Sequence, residues 1–234
     1  MNWVSMRGVY LVIFTAVFLG AACTPEENAS EPQSKRAGDS HTGGPGRPGQ
    51  TYVYECEDGT QFTARVEGDK AWLFLRSGTL SLPHVEAASG AKFSDGMTTY
   101  WSKGESAMLE RRDHARTACS NNRRAAIWED AKLRGADFRA VGNEPGWNLE
   151  ISRGNGIYFV TNYGSDKYTF AMPEPVSDKK AGTTSYSAST DGHKLSILLE
   201  RGPCMDTMSD EQFETKVTVK FDEATLHGCG RPLH

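Results

Sequence analysis

Tyr52-Val53-Tyr54-Glu55-Cys56-Glu57-Asp58-Gly59-Thr60-Gln61-Phe62-Thr63-Ala64-Arg65-Val66 is the stretch that decides the fold. Tyr52, Tyr54 and Cys56 alternate, Asp58-Gly59 turns the chain, and Phe62, Ala64 and Val66 alternate back. A period of two marks a strand with one buried face. Asp-Gly between two such runs is the strongest short signal for a hairpin. The same pattern continues downstream. Glu67-Gly68-Asp69 turns into Ala71-Trp72-Leu73-Phe74-Leu75, and Leu80-Ser81-Leu82 is stopped by Pro83. Asp95-Gly96 joins Ala91-Lys92-Phe93 to Thr98-Thr99-Tyr100-Trp101, Ala107-Met108-Leu109-Glu110 follows, and Cys119 closes the piece. At about 70 residues its core alone is marginal. Small size, dense turns and closure predict a compact antiparallel β-barrel over residues 51–122. A Cys56–Cys119 bridge would tie its first strand to its end and contribute about 3–4 kcal/mol.

Beyond it, Arg123–Arg134 (RRAAIWEDAKLR) is the convincing helical stretch, with Ile127 and Ala131 four apart and Gly135 as a stop. It predicts a connector over residues 123–135. Residues 136–234 repeat the β pattern without repeating the sequence. Trp147, Leu149 and Ile151 alternate, Gly154-Asn155-Gly156 turns into Ile157-Tyr158-Phe159-Val160, and Leu195, Ile197, Leu199, then Val217, Val219 and Phe221 follow. The expected fold class is therefore all-β: a small barrel, a short helix and a second antiparallel β module. Trp72 and Trp147 are both expected in cores. Cys56, Cys119, Cys204 and Cys229 allow three pairings, of which the within-module one is preferred.

The amino terminus reads differently. Arg7 precedes the apolar run Val9 to Leu19, then Gly20-Ala21-Ala22-Cys23. The run is too short for a bilayer core that needs about 20 residues, so residues 1–22 are expected to be an export signal. Small residues leading into a cysteine resemble the bacterial lipobox, which implies diacylglyceryl modification of Cys23 and a membrane anchor. Thr24 after it then implies release to the outer membrane, facing the periplasm. Ordinary cleavage near Ala22, leaving Cys23 a thiol, is the alternative. Thr24 to Gln50 contains no Val, Ile, Leu, Met, Phe, Trp or Tyr. Residues 23–50 are therefore expected to be a lipidated cysteine and a disordered tether with a reach of about 25–30 Å.

The 234 residues carry 26 Lys+Arg against 30 Asp+Glu, a net of −4, which argues against a nucleic-acid partner. Five cysteines leave four to pair in an oxidising compartment once Cys23 is lipidated. No zinc signature, Walker loop, G-x-S-x-G or H-E-x-x-H occurs, so neither cofactor, metal nor enzymatic activity is expected. One constellation stands out. A two-residue turn at Asp95-Gly96 would set residue 94 against 97 and 89 against 102, bringing Ser89 beside Lys103. Strict alternation puts those two on opposite faces, so a bulge or loop near Gly90 or Gly104 must relax it. The alternatives are an ordinary solvated strand end or, less in keeping with the polar surroundings, a Ser–Lys nucleophile dyad.

Tyr54-x-Cys56, Ala88-Ser89-Gly90-Ala91-Lys92-Phe93, Tyr100-Trp101-Ser102-Lys103-Gly104 and Met108-Leu109-Glu110 resemble, in order and spacing, the membrane-bound inhibitors of c-type lysozyme over residues 51–120. The resemblance implies an eight-stranded antiparallel barrel and c-type lysozyme as partner. It implies that Ser89, Gly90, Phe93, Lys103 and Gly104 form the lysozyme-binding set, with Phe93 where the family often has Tyr. Gly142-Asn143-Glu144-Pro145-Gly146-Trp147, Cys204-Met205-Asp206-Thr207-Met208-Ser209 and Gly228-Cys229 resemble a META-like module of bacterial envelope lipoproteins. No activity comes with that second likeness. Asp206 and Ser209 there read either as a site or as a turn cap. A structural envelope lipoprotein without lysozyme affinity is the competing function.

Overall fold

A computed structural model describes residues 49–112 and 114–234. The export signal 1–22, Cys23 and the tether up to residue 48 lie outside the described residues. The first eight strands are β1 Gln50–Cys56, β2 Gln61–Glu67, β3 Lys70–Leu75, β4 Gly78–Val85, β5 Ala91–Ser94, β6 Thr98–Lys103, β7 Ser106–Arg111 and β8 His114–Asn121. Strand β1 takes in Gln50, the last residue of the stretch read as tether. Each strand pairs antiparallel with its chain neighbour, and β8 returns to β1 to close the barrel. At that seam Cys56 stands directly opposite Cys119, and the two form a disulfide.

Alternation decides what fills the barrel. Tyr54, Phe62, Ala64, Ala71, Leu73, Leu82, Phe93, Tyr100, Ala107 and Leu109 all point inward and are buried. Trp72 departs from expectation: it is 39% exposed. Its neighbours Ala71 and Leu73 take the inward positions, so period two turns the larger side chain out, opposite Arg65. Inside, Phe93 stacks on Tyr100 at 5.9 Å, and the Tyr100 hydroxyl donates to Tyr54 at 3.2 Å. Burial pushes both phenols up, Tyr100 to about 12, so both stay neutral donors.

Helix α1 (Arg123–Leu133) follows immediately. The Asn122 side chain accepts the Ala125 N–H at 3.0 Å as its N-cap. Gly135, at φ +89°, ends it, with Ala136 N–H returning to Ala131 O.

The second module contains β9 Phe138–Asn143, β10 Gly146–Ser152, β11 Gly156–Thr161, β12 Asp166–Phe170, β13 Val176–Asp178, β14 Thr183–Thr190, β15 His193–Met205, β16 Gln212–Phe221 and β17 Ala224–Pro232. They form one antiparallel sheet in the order β12-β11-β10-β9-β17-β16-β15-β14-β13, curled until β12 meets β14. The inner face buries Phe138, Ala140, Trp147, Leu149, Ile157, Phe159, Val217 and Val219, among others. Trp147 lies flat across the sheet because Gly142 faces it; a Cβ there would come within 2.2 Å of the indole nitrogen. Trp128 of α1 packs with Phe213 and Cys229 in a separate small cluster. A register shift between Arg201 and Cys204 takes the end of β15 toward β17, where Cys204 bonds to Cys229.

Candidate functional site

The barrel has two rims. One collects the start of β1, the β2–β3 turn, the β4–β5 loop (residues 86–90), the β6–β7 turn and the end of β8, from which α1 departs. Ser89, Gly90, Lys103 and Gly104 are all exposed on this rim. Phe93 is not: at 1% exposure it belongs to the core, between Tyr100 and the edge of His84. It has no surface to offer a partner, and its part is to hold up the strand below the loop.

The hairpin that carries these residues has a different centre from the one expected. Phe93 faces Tyr100 and Ser94 faces Thr99, so the turn is Asp95-Gly96-Met97-Thr98 and Gly96-Met97 are its central pair. The reason is the Asp95 carboxylate, which accepts the N–H groups of Met97 at 2.9 Å and Thr98 at 2.7 Å. Those backbone donors, Thr98 foremost, hold its carboxyl below the usual carboxylate range. Gly96 takes φ +87° at the first central position, as a type II′ hairpin requires. Ser102 therefore faces Ala91 rather than residue 89. Continuing this ladder sets Gly90 opposite Lys103 and Ser89 opposite Gly104.

Alternation then stops at Gly90, which takes φ +70°. A Cβ at Gly90 would sit 2.3 Å from the Ser102 carbonyl oxygen. Only glycine tolerates both conditions, so Gly90 is needed by the molecule's own packing and by the bend that frees Ser89 from the strand's pleat. The loop has a second fastening: Trp101 Nε1 donates to the Ser89 carbonyl at 2.8 Å. Lys92 places its ammonium 5.6 Å over the same indole ring. The sequence motif contains Trp101 but does not reveal this anchoring role.

The neighbouring turn is held from outside the barrel motif. Glu105 accepts from Asn121 Nδ2 and Arg123 Nη2, both at 2.8 Å, and its carbonyl accepts Asn121 N–H at 2.8 Å. The Arg123 hydrogen bond leads in holding the Glu105 carboxyl below its ordinary range. Glu105 is thereby tied to residues 16 and 18 positions away, a link no local pattern signals. Among the described residues, Lys103 makes no ion pair and no group of three or more His, Cys, Asp or Glu side chains could hold a metal. The arrangement leaves the Ser89 and Lys103 side chains exposed on adjoining connections of one rim.

Comparison with known proteins bears on this rim. Residues 54–118 match the family model of the membrane-bound lysozyme-inhibitor of c-type lysozyme. Ser89, Gly90, Lys103 and Gly104 all fall inside that stretch. A protein of Yersinia enterocolitica named membrane-bound lysozyme inhibitor of C-type lysozyme is 47% identical over 64 residues, covering 26% of this chain and 54% of that protein. One of the same name from Pseudomonas aeruginosa is 38% identical over 61 residues, covering 24% of this chain and 48% of that protein. The chain thus spans about half the length of the curated relatives it matches. No solved structure matches it significantly.

In the second module, Asp206 accepts from Asn143 Nδ2, from Ser209 Oγ at 2.5 Å and from Met208 N–H at 3.4 Å. Burial raises its carboxyl, but the Ser209 and Asn143 bonds outweigh that and lower it overall. This is the geometry of a turn cap beside the Cys204–Cys229 bridge.

Proposed function

We propose that the chain is a lipid-anchored envelope protein that inhibits c-type lysozyme, entering the enzyme's cleft with the rim that carries Ser89 and Lys103. The observation that carries this is the exposure of both residues on adjoining connections of one barrel rim, inside a stretch similar to proteins named as lysozyme inhibitors. The chemistry suits the target. Such a glycosidase works with one carboxyl of raised pKa and one ionised partner. A hydroxyl can donate to or accept from either, and an ammonium pairs with the ionised one where water is excluded. The Cys23 anchor and the tether would hold the barrel at the outer membrane, facing the periplasm. The action is binding rather than catalysis: Lys103 is exposed, whereas a lysine that activates a serine must be desolvated.

The test is inhibition of hen lysozyme by the purified protein, compared with Ser89→Ala, Lys103→Ala and the double variant. Each single change is expected to cost about 2–5 kcal/mol of binding if the groups meet buried charges, and raised salt should weaken binding only modestly. Unchanged inhibition by the double variant rejects the contact. The second reading, an envelope lipoprotein with another partner, draws on residues 136–234, which have their own core and disulfide outside the matched stretch. It predicts no lysozyme affinity and co-purification with an envelope protein.

A further inference from the structure

The helix between the two modules is fastened to both. Asp130 of α1 accepts from two barrel groups, Thr51 Oγ1 at 2.8 Å and Arg65 Nη1 at 3.4 Å. Arg134, just past the end of α1, donates to Asp130 at 2.8 Å and to Glu150 of β10 at 2.8 and 3.0 Å. Arg139 of β9 also donates to Glu150. Trp128 of the same helix packs with Phe213, and Arg231 of β17 lies 4.4 Å over its ring. These ties fix where the second module stands beside the barrel rim from which α1 departs.

That rim thereby acquires a neighbour. At the first turn of α1, Arg123 Nη2 reaches Glu105 of the β6–β7 turn at 2.8 Å, and the next residue, Arg124, donates from Nη1 to the Ser209 carbonyl at 3.4 Å. Ser209 belongs to the β15–β16 loop, residues 206–211. An extended arginine side chain reaches about 7 Å from its Cα, so the Glu105 carboxylate and the Ser209 carbonyl lie within about 25 Å of each other. A standard protein interface covers about 800 Å² of each partner, a patch about 30 Å across. The turn that carries Lys103 and the β15–β16 loop fit within one such patch.

The loop is held rigidly from within. Asp206 N–H donates to the Glu211 carbonyl at 3.0 Å, and Asp210 N–H donates to the Asp206 carbonyl at 2.9 Å. The Asp206 carboxylate is engaged by Asn143 and Ser209, Arg231 Nη1 holds Glu211 at 2.9 Å, and the Cys204–Cys229 disulfide anchors the base. The polar groups are thus engaged by the loop and its supports, while Met205 and Met208 are left 56% and 78% exposed. A turn cap needs neither methionine. Exposed, unbranched thioether side chains adapt readily to a partner's surface.

We propose that this loop is a further part of the lysozyme-binding surface, with Met205 and Met208 as apolar contacts beside the rim of Ser89 and Lys103. The contact presupposes that this rim is the lysozyme-binding face, as proposed above. Methionine is enriched in protein interfaces, where its apolar area supplies affinity that a polar pair at the rim does not. Because the loop is fixed before binding, little ordering opposes the contact.

The test labels the methionine methyl groups of the full chain with ¹³C and titrates it with hen lysozyme. The Met205 and Met208 methyl resonances should move saturably. Met97, exposed at the opposite barrel rim, should stay in place and serves as the internal control. Met205→Ala/Met208→Ala should raise the concentration for half-inhibition of lysozyme about tenfold or more, as expected for the apolar area lost. Both positions are exposed, so its urea midpoint should match that of the unaltered chain. Stationary Met205 and Met208 methyls, or full inhibition by the double variant, overturn the proposal. If inhibition then still depends on Ser89 and Lys103, the reading of the rim stands without the loop. An unaltered chain that does not inhibit lysozyme overturns both. Movement of Met97 in place of the loop methionines puts the partner on the opposite rim and also overturns both.

Discussion

Replacing Gly90 by Ala adds one methyl group and tests the logic of the candidate rim. At φ +70° an L-residue carries a cost of about 1–2 kcal/mol. The added Cβ would also lie 2.3 Å from the Ser102 carbonyl oxygen, where contacts closer than 3.0 Å essentially never occur. The obstructing atom is backbone, at the last pair of the β5–β6 ladder, so no rotamer change relieves it; the loop must retreat by about 0.7 Å or more. That displacement stretches the 2.8 Å bond from Trp101 Nε1 to the Ser89 carbonyl beyond useful length, which removes a further 0.5–1.5 kcal/mol or so. The expected total is about 2–3 kcal/mol, read as a lower midpoint in urea with an unchanged slope. Lysozyme inhibition measured well below the unfolding midpoint should weaken at the same time, because Ser89 moves with the loop. Full stability in Gly90→Ala would refute the packing argument. Lost stability with unaltered inhibition would detach the 86–90 loop from the partner.

Three further outcomes follow from the fold. Replacing Cys56 and Cys119 together by Ser opens a closed stretch with a sequence separation of 63 and should cost about 4 kcal/mol in urea unfolding. The Cys204–Cys229 pair, with a separation of 25, should cost less, about 3 kcal/mol. Glu150→Ala leaves Arg139 and Arg134 facing each other without their shared carboxylate and should destabilise by about 3–5 kcal/mol, whereas Glu105→Ala on the exposed rim, where water screens the charge, should cost far less. Equal effects of the two would contradict the burial difference. Asp95 has a depressed carboxyl in the folded chain, so its contribution is present above the unfolded value near pH 4 and is lost as pH falls through the lower folded one. Asp95→Asn keeps an oxygen for the Met97 and Thr98 amides but does not titrate. It should remove that part of the acid sensitivity, and an unchanged stability–pH curve would exclude Asp95 as its source.

Much of the architecture was legible because strand and helix are local. Alternation from Tyr52 to Val66 depends only on successive side chains taking opposite faces, and it marked both the strands and most of their core residues. The helix over 123–133 and its stop at Gly135 were equally plain. The rim residues Ser89, Gly90, Lys103 and Gly104 stood out as a motif. Trp101 as an anchor for Ser89 did not, and neither did the clamp on Glu105, since both act through partners elsewhere in the chain.

Other features waited for the tertiary structure. Asp95-Gly96 announced a turn, but which pair sits at its centre depends on where the Asp95 carboxylate finds its amide donors, and that moved the facing register at Ser102 from residue 89 to Ala91. Trp72 and Trp147 look alike in composition, yet one lies outside the barrel and the other inside the curled sheet, because the pleat assigns faces by position and not by size. Thr51, Arg65, Asp130, Arg134, Arg139 and Glu150 carry no common motif. They meet only because β1, β2, α1, β9 and β10 pack at one junction, where removal from water turns scattered surface charges into a coupled network. Periodicity reports which way a side chain faces over a few residues; which charges then become neighbours is settled by the packing of whole elements, and that sets the dielectric they share.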